Sequence, residues 1–164
     1  MPLDTAATEL RKPDELLQLV SFRLADEEFG IDILKVQEII RMVDMTRVPN
    51  SPEFVEGVIN LRGRIIPIIA LRKRFGVEPR PPDKRTRIMV VEVDRKTIGF
   101  IVDSVSEVLR IPRSTVEPTP EVVSSVNAEY ISGVGKLEDR LLILLDLNRL
   151  LTGSERSLLE GAAR

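Results

Sequence analysis

The sequence predicts an all-β protein made by internal duplication, and three observations point there. Short runs rich in Val, Ile, Leu and Phe, bounded by turn residues, recur along the chain. Several of these runs are joined by gaps only two or three residues long, as hairpins require. The chain also aligns with itself when it is shifted by about seventy residues, and such self-similarity marks a repeat architecture.

The elements follow in order. Residues 1–14 are polar, carry two prolines and read as a flexible tail. Leu17 to Leu24 reads as a strand, Asp26-Glu27-Glu28 as a turn, and Phe29-Gly30 opens a second strand. Between Asp32 and Ile40 the spacing of Ile33, Val36, Ile39 and Ile40 fits a helix, while the residue types favour a strand. A helical turn between two strands satisfies both signals. Val48 to Pro52 is a loop. Phe54 to Leu61 and Ile65 to Leu71 form a hairpin around Arg62-Gly63, with a short helix from Leu71 to Phe75. Gly76 to Asp83, with Pro79, Pro81 and Pro82, is the linker. The pattern then restarts: strands at Ile88–Val93 and Ile98–Val102, a long loop over 112–129, and strands at Tyr130–Val134 and Arg140–Leu147. Thr152 and Glu155 have capping-box spacing before Leu158 and Leu159, which predicts a short C-terminal helix.

The duplication is specific. A shift of 69 residues superposes Phe29 on Ile98, Gly30 on Gly99, Val36 on Val105, Glu38 on Glu107, Ile39 on Val108 and Arg41 on Arg110. A shift of 76 superposes Phe54 on Tyr130, Gly57 on Gly133, Leu61 on Leu137, Arg64 on Arg140 and Leu71 on Leu147. The longer loop of the second copy absorbs the change in offset. Each copy holds about five short strands, and closing a sheet into a barrel removes exposed edges. The expected organisation is a tail at 1–14, a first barrel repeat at 15–82, a second at 83–151, and a helix and tail at 152–164.

Composition excludes much chemistry. With no His and no Cys, the usual zinc sites, disulfides, haem ligation and Cys-His or Ser-His nucleophiles are missing. No catalytic residue, metal or cofactor is expected. The net charge is -2, which disfavours a generic nucleic-acid binder. No apolar run approaches the roughly 20 residues of a membrane span, and no signal peptide opens the chain. A cytoplasmic protein without direct membrane insertion is the expectation.

Few residues stand out as candidates. Asp26-Glu27-Glu28 and Glu138-Asp139 read as solvated turn charges. The basic stretch Arg72-Lys73-Arg74, Arg80, Lys84, Arg85 and Arg87 would suit a nucleic acid, yet it contains only Phe75 as a stacking platform. A single-stranded nucleic-acid-binding pair of barrels is therefore the alternative function. Arg62-Gly63-Arg64 sits at a hairpin tip where Asn-Gly or Asp-Gly would be the ordinary choice, and the duplicate of Arg62 is Glu138. Arg62 either makes a functional contact or closes a plain turn. Val36 with Val105, and Ile33 with Val102, either line a shared groove or fill two separate cores. Met42, Met45 and Val48 suit an adaptable surface or a core gap.

The segment Phe54-Val-Glu-Gly-Val-Ile-Asn-Leu-Arg-Gly63, followed by Ile65-Ile-Pro-Ile-Ile69, closely resembles the signature of the CheW family of bacterial chemotaxis coupling proteins. Phe29-Gly-Ile-Asp-Ile33, Val36-Gln-Glu-Ile39, Tyr130-Ile-Ser-Gly-Val134 and Leu141 to Leu151 belong to the same resemblance, which runs from about Leu19 to Leu159. It implies two five-stranded SH3/OB-like barrels, with strands that can be exchanged between the halves. It implies a non-enzymatic adaptor joining transmembrane methyl-accepting chemoreceptors to the regulatory domain of the histidine kinase CheA. A groove lined by Val20, Ile33, Val36, Ile39 and Val105, with Glu38 and Arg62 nearby, would receive the receptor's helical tip. Kinase and ring contacts would involve Met42, Met45, Thr46, Val48 and Gly57 on one barrel, and the loop from Glu117 to Val122 on the other. Two departures stand out: Ala70 replaces an Asp common in the family, although its duplicate is Asp146, and the 117–122 loop lacks an aromatic residue. The chain is too short for the kinase's catalytic domains or a fused receiver, so the stand-alone coupler is expected.

Overall fold

The computed structural model describes residues 15–118 and 130–150. The tail at 1–14, Val122 and the C-terminal helix expected at 152–164 lie outside the described residues. The strands are β1 (Leu16–Leu24), β2 (Glu27–Asp32), β3 (Val36–Arg41), β4 (Val55–Leu61), β5 (Arg64–Ala70), β6 (Arg87–Val93), β7 (Lys96–Val102), β8 (Ser104–Pro112), β9 (Val116–Glu117), β10 (Ile131–Lys136) and β11 (Leu141–Leu145). A single 3-10 turn at Ile33–Lys35 stands where helical spacing and β-branched residues conflict. Helical turns at Leu71–Arg74 and Leu147–Leu150 follow β5 and β11.

Two sheets result, in the orders β8-β1-β2-β11-β10-β9 and β3-β6-β7-β5-β4. They have the same plan. Each duplicate strand takes the same place in its sheet, and even β9, paired at Glu117 with Val134, has a counterpart in the bridge from Thr46 to Val58. The sheets do not follow the consecutive segments 15–82 and 83–151. The second sheet is built from one continuous stretch, 36–102, set inside the first, which takes β1 and β2 from before it and β8 to β11 from after it. The chain crosses between sheets only twice among the described residues, at Ile33–Lys35 and at Asp103. The strand β8 is legible in the sequence only as the duplicate of β3.

The core explains why the strands read as continuous apolar runs. One cluster, Leu19, Ile111, Leu142 and Leu144, fills the first barrel, and Ile59, Ile66, Ile68, Ile88 and Val90 fill the second. A larger central cluster lies between the barrels and joins Val20, Phe22, Leu24, Phe29 and Ile31 to Met89, Val91, Val93, Ile98 and Phe100. Strand β5 therefore turns Ile66 and Ile68 into its barrel and Ile69 into the seam. A strand buried on both faces loses the polar alternation of a half-exposed one. Four of the six aromatic residues make ring contacts through the seam, Phe22 on Phe29, Phe29 beside Phe75 and Phe75 on Tyr130, and Arg74 lies over both Tyr130 and Phe54.

The crossing at Asp103 is held by charge. Its carboxylate accepts from Arg72 Nε at 2.9 Å and Nη2 at 2.6 Å, and from the Ala25 N–H at 2.8 Å. Burial pushes this carboxyl up, but the bonds from Arg72 and Ala25 and the charges of Arg72 and Arg80 outweigh burial and hold it below its ordinary range. A depressed folded-state value gives stability that is present above the unfolded value of about 3.9 and is lost as pH falls through the folded value. Below about pH 4 the melting midpoint should therefore fall more steeply for the natural protein than for Asp103→Asn, as followed by calorimetry.

The duplicated glycines allow close approach of strands. A Cβ on Gly99 would lie 2.5 Å from Ile68 Cδ1 and 2.9 Å from Ile88 Cγ2, where β7 runs parallel to β5. At Gly30, in the matching parallel pair, the nearest atom would be Leu142 Cδ2 at 3.1 Å. Gly99→Ala should cost about 1–3 kcal/mol in urea unfolding, and Gly30→Ala less.

Candidate functional site

Strands β3 and β8 are duplicates, and each lies at an edge of its sheet. Their half-buried Val36 and Val105 both pack against the central cluster, as does Ile33. Outside them stand Ile39, 40% exposed, and Val108, 54% exposed. These are duplicate positions, so an aliphatic side chain is left uncovered twice at the same place in the plan. Val20, the cross-strand partner of Val108, is only 4% exposed and belongs to the central core. Sequence reading aligned Val108 with Ile39 but did not include it among the site residues, although the duplication was signal enough to find it.

A carboxylate and an arginine stand beside each edge. Arg62 at the β4–β5 tip donates Nη1 to Glu38 Oε2 at 2.6 Å and Nη2 to Glu38 Oε1, which fastens the tip to edge strand β3. The hydrogen bond from Arg62 lowers the Glu38 pKa, and the same bond raises that of Arg62. In the other barrel Arg140 performs this closure. Its Nη2 reaches Glu107 Oε1 at 3.2 Å, its Nε donates to Glu28 Oε1 at 2.6 Å, and its Nη1 donates to Asp139 Oδ1 at 2.9 Å. Glu38 and Glu107 are duplicates, yet they are met by arginines at different positions. Arg64, the duplicate of Arg140, goes to Thr97 Oγ1 at 2.8 Å. Glu28 corrects the expectation of a solvated turn charge, because its side chain is only 6% exposed and is paired with Arg140.

The Arg62 tip has its own local logic. Leu61 pairs with Arg64 around a two-residue loop, with φ of 53° at Arg62 and 82° at Gly63. That is the turn for which Asn-Gly is ordinary, and a left-handed Arg costs about 1 kcal/mol or more. Asn60 compensates by accepting from the Gly63 N–H through Oδ1 at 2.8 Å.

The remaining site residues lie elsewhere. Met42 and Met45 are half-buried against the interior of the second barrel. Thr46 is exposed, and its backbone exchanges bonds of 3.0 and 2.8 Å with Val58. Gly57 is buried beneath it, with a Cβ position 2.5 Å from the Thr46 carbonyl oxygen, so its part is to admit the loop. Val48 is half-buried, and its carbonyl accepts from Ser51 Oγ at 2.8 Å. Glu117 is exposed and paired with Lys136 at 2.6 Å. Thr46 and Glu117 occupy equivalent ends of the two barrels.

Much of the basic stretch is engaged internally, while Lys84 and Arg85 are exposed. Arg72 holds Asp103, Lys73 meets Glu56 at 2.6 Å, Arg74 lies over Phe54 and Tyr130, and Arg87 donates to the carbonyls of Lys84 and Thr86. The aromatic residues a single strand would stack on are inside the seam, so the nucleic-acid alternative has no support. Among the described residues no cluster of three or more His, Cys, Asp or Glu is placed to hold a metal ion, and no helix is long and apolar enough to cross a membrane.

Arg62→Gly should leave the melting midpoint unchanged or raised, because it relieves the left-handed residue while removing the brace. Arg140→Ala should lower that midpoint more than Arg64→Ala does, because it takes the guanidinium from a buried carboxylate. Differential scanning calorimetry of the three variants checks both expectations.

The chain is similar to known proteins. The family model described as the CheW-like domain matches residues 18–155. The chemotaxis protein CheW of Klebsiella aerogenes is 41% identical over 147 residues, covering 90% of this chain and 89% of that protein. The chemotaxis protein CheW of Helicobacter pylori is 37% identical over 147 residues, covering 90% and 88%. The crystal structure of the scaffolding protein TtCheW from Thermoanaerobacter tengcongensis superposes with a TM-score of 0.79 at 40% identity, covering 86% of this chain and 96% of that one.

Proposed function

The chain belongs to the CheW-like family of chemotaxis adaptor proteins, and from that premise we propose that it joins the cytoplasmic helical tip of methyl-accepting chemoreceptors to the regulatory domain of a CheA-type histidine kinase. In this reading the protein works in the cytoplasm. It reaches the membrane array through protein contacts alone and turns over no substrate.

The observation that supports the receptor contact is the pair of duplicate edge strands. An amphipathic helix docked in a groove needs a stripe of apolar side chains bounded by charges that fix its register. Ile39 and Val108 supply exposed aliphatic surface, Val36 and Val105 the shoulders, and Ile33 one end. Glu38 with Arg62, and Glu107 with Arg140, supply the bounding charges. Arg62 thereby combines the two roles left open by its sequence: it closes the barrel onto β3 and holds a carboxylate–guanidinium pair at the border of the apolar stripe.

The kinase and ring contacts go to the other ends of the barrels, at Met42 to Val48 over Gly57 on one and at the loop from Glu117 to Val122 on the other. The equivalence of Thr46 and Glu117 supports this assignment. A pseudo-symmetric molecule that offers like ends to two neighbours suits an alternating ring.

Ile39→Asp is the cleanest test of the groove, because Ile39 is exposed and its loss leaves the core intact. Its affinity for a chemoreceptor tip fragment should fall at least tenfold, with the melting midpoint within about 2 °C of the natural protein, as a surface substitution warrants. Val36→Asp should weaken binding too but also lower the midpoint, because Val36 packs on the central core. Natural affinity in Ile39→Asp, read by isothermal titration calorimetry, would overturn the groove.

A further inference from the structure

We propose that Asp103 and Arg72 are positioning residues that set the angle between the two barrels and, through it, the shape of the receptor groove; this rests on the groove assigned above.

The chain passes between barrels at two places only, among the described residues. At the first, Ile33–Lys35, the position duplicate to Asp103 is Leu34, which is 86% exposed. There Asp32 Oδ1 merely accepts from the Leu34 N–H at 2.9 Å, a bond within the turn. At the second, the crossing is one residue long and that residue is a carboxylate.

Asp103 ties both barrels to itself. Toward the first barrel, its N–H donates to the Arg23 carbonyl at 3.0 Å, and its Oδ2 accepts from the Ala25 N–H at 2.8 Å. Ala25 has φ of 56°, a left-handed geometry unfavourable for an alanine, and its N–H is tied down by that bond. Toward the second barrel, both carboxylate oxygens meet the Arg72 fork, with Arg80 Nη2 3.4 Å away. Arg72 also donates Nη1 to the Glu78 carbonyl at 2.7 Å, so the linker is laced to the same guanidinium.

The pair stands next to the groove. Strand β8 begins at Ser104, and Val105 is two residues from the carboxylate. Any rotation of one barrel on the other at this crossing moves β8 relative to β3, and hence Val105 and Val108 relative to Val36 and Ile39. A bidentate arginine–carboxylate pair is directional as well as attractive, which suits it to fixing an angle. The aliphatic part of the seam resists separation of the barrels without fixing a direction, and the stacked rings lie away from the crossing, so at Asp103 itself the directional contacts are those of the carboxylate.

The chain has no cysteine, so spin labels can be placed without a background thiol. Labels at Lys84→Cys and Glu138→Cys report the distance between barrels, and labels at Glu53→Cys and Lys84→Cys report a distance within one barrel. Double electron–electron resonance on the full chain should give a narrow inter-barrel distribution. Asp103→Asn and Arg72→Gln should each broaden or shift it while leaving the intra-barrel distribution unchanged. The double variant should do no more than either single one, and Arg72→Lys should restore part of the natural distribution. The same variants should bind a chemoreceptor tip fragment at least tenfold more weakly. An unchanged inter-barrel distribution would overturn the proposal. So would broadening of both distributions together, which would make the pair a general stabiliser, or natural affinity despite a broadened inter-barrel distribution. If the natural protein itself fails to bind the fragment, the groove assignment falls and the link to receptor binding falls with it, whereas the distance measurements still decide whether the pair sets the barrel angle.

Discussion

The seam between the two barrels is the constraint on which the rest of the molecule depends. Each barrel has only a small interior of its own, and the central cluster is larger than either. Strands β1, β5, β6 and β11 each serve both a barrel interior and the seam. Apolar burial, at about 25 cal/mol per Å², is therefore shared between the halves, and neither half can keep its core when the other is removed. The aromatic ladder from Phe22 to Tyr130 and Arg74 runs through this seam and gives it shape as well as area. It also uses aromatic side chains that would otherwise be available to a nucleic acid or a ligand.

Around the seam the charges serve architecture first. Arg62, Arg72 and Arg140 each bind a carboxylate from a different element, and each joins a tip, a helical turn or a crossing to its neighbour. The two barrels reach the same closure by different residues, since Glu38 and Glu107 are duplicates while Arg62 and Arg140 are not. In both barrels edge and tip are fastened by an arginine–carboxylate pair, but by arginines at different positions. The tip of the second barrel keeps an arginine in a left-handed turn next to an exposed aliphatic edge.

The strand pattern, both hairpins of the second barrel, the turn at Ile33–Lys35 and the duplication were legible because each rests on local chemistry: β-branched runs, turn residues and repeated glycines. The adaptor function was legible through the Asn60-Leu-Arg-Gly63 signature and its Ile-Pro strand. Glu28 was misread, because a charge beside a turn looks solvated until Arg140, far away in sequence, is placed over it. Strand β8 was overlooked because its side chains Ser106, Glu107 and Arg110 make an edge strand resemble a loop. Val20 stands across from Val108 in the β1–β8 register, on the same face of the sheet, and nothing in the sequence marks that one is buried and the other exposed.

The sequence by itself determined the all-β character, the twofold repeat, the lack of residues for most catalysis and the family. These follow from composition and from patterns that are short in range or repeated. Tertiary structure alone decided that the stretch 36–102 forms a whole barrel inserted, in sequence, between the strands of the other, because strand exchange leaves no local mark where the chain crosses. It alone decided which carboxylate each arginine meets, since contacts between residues dozens of positions apart depend on how two curved sheets pack. It alone separated Ile39 and Val108, left in solvent, from Val20, buried although it stands across from Val108, because exposure belongs to the packed molecule and not to the residue type.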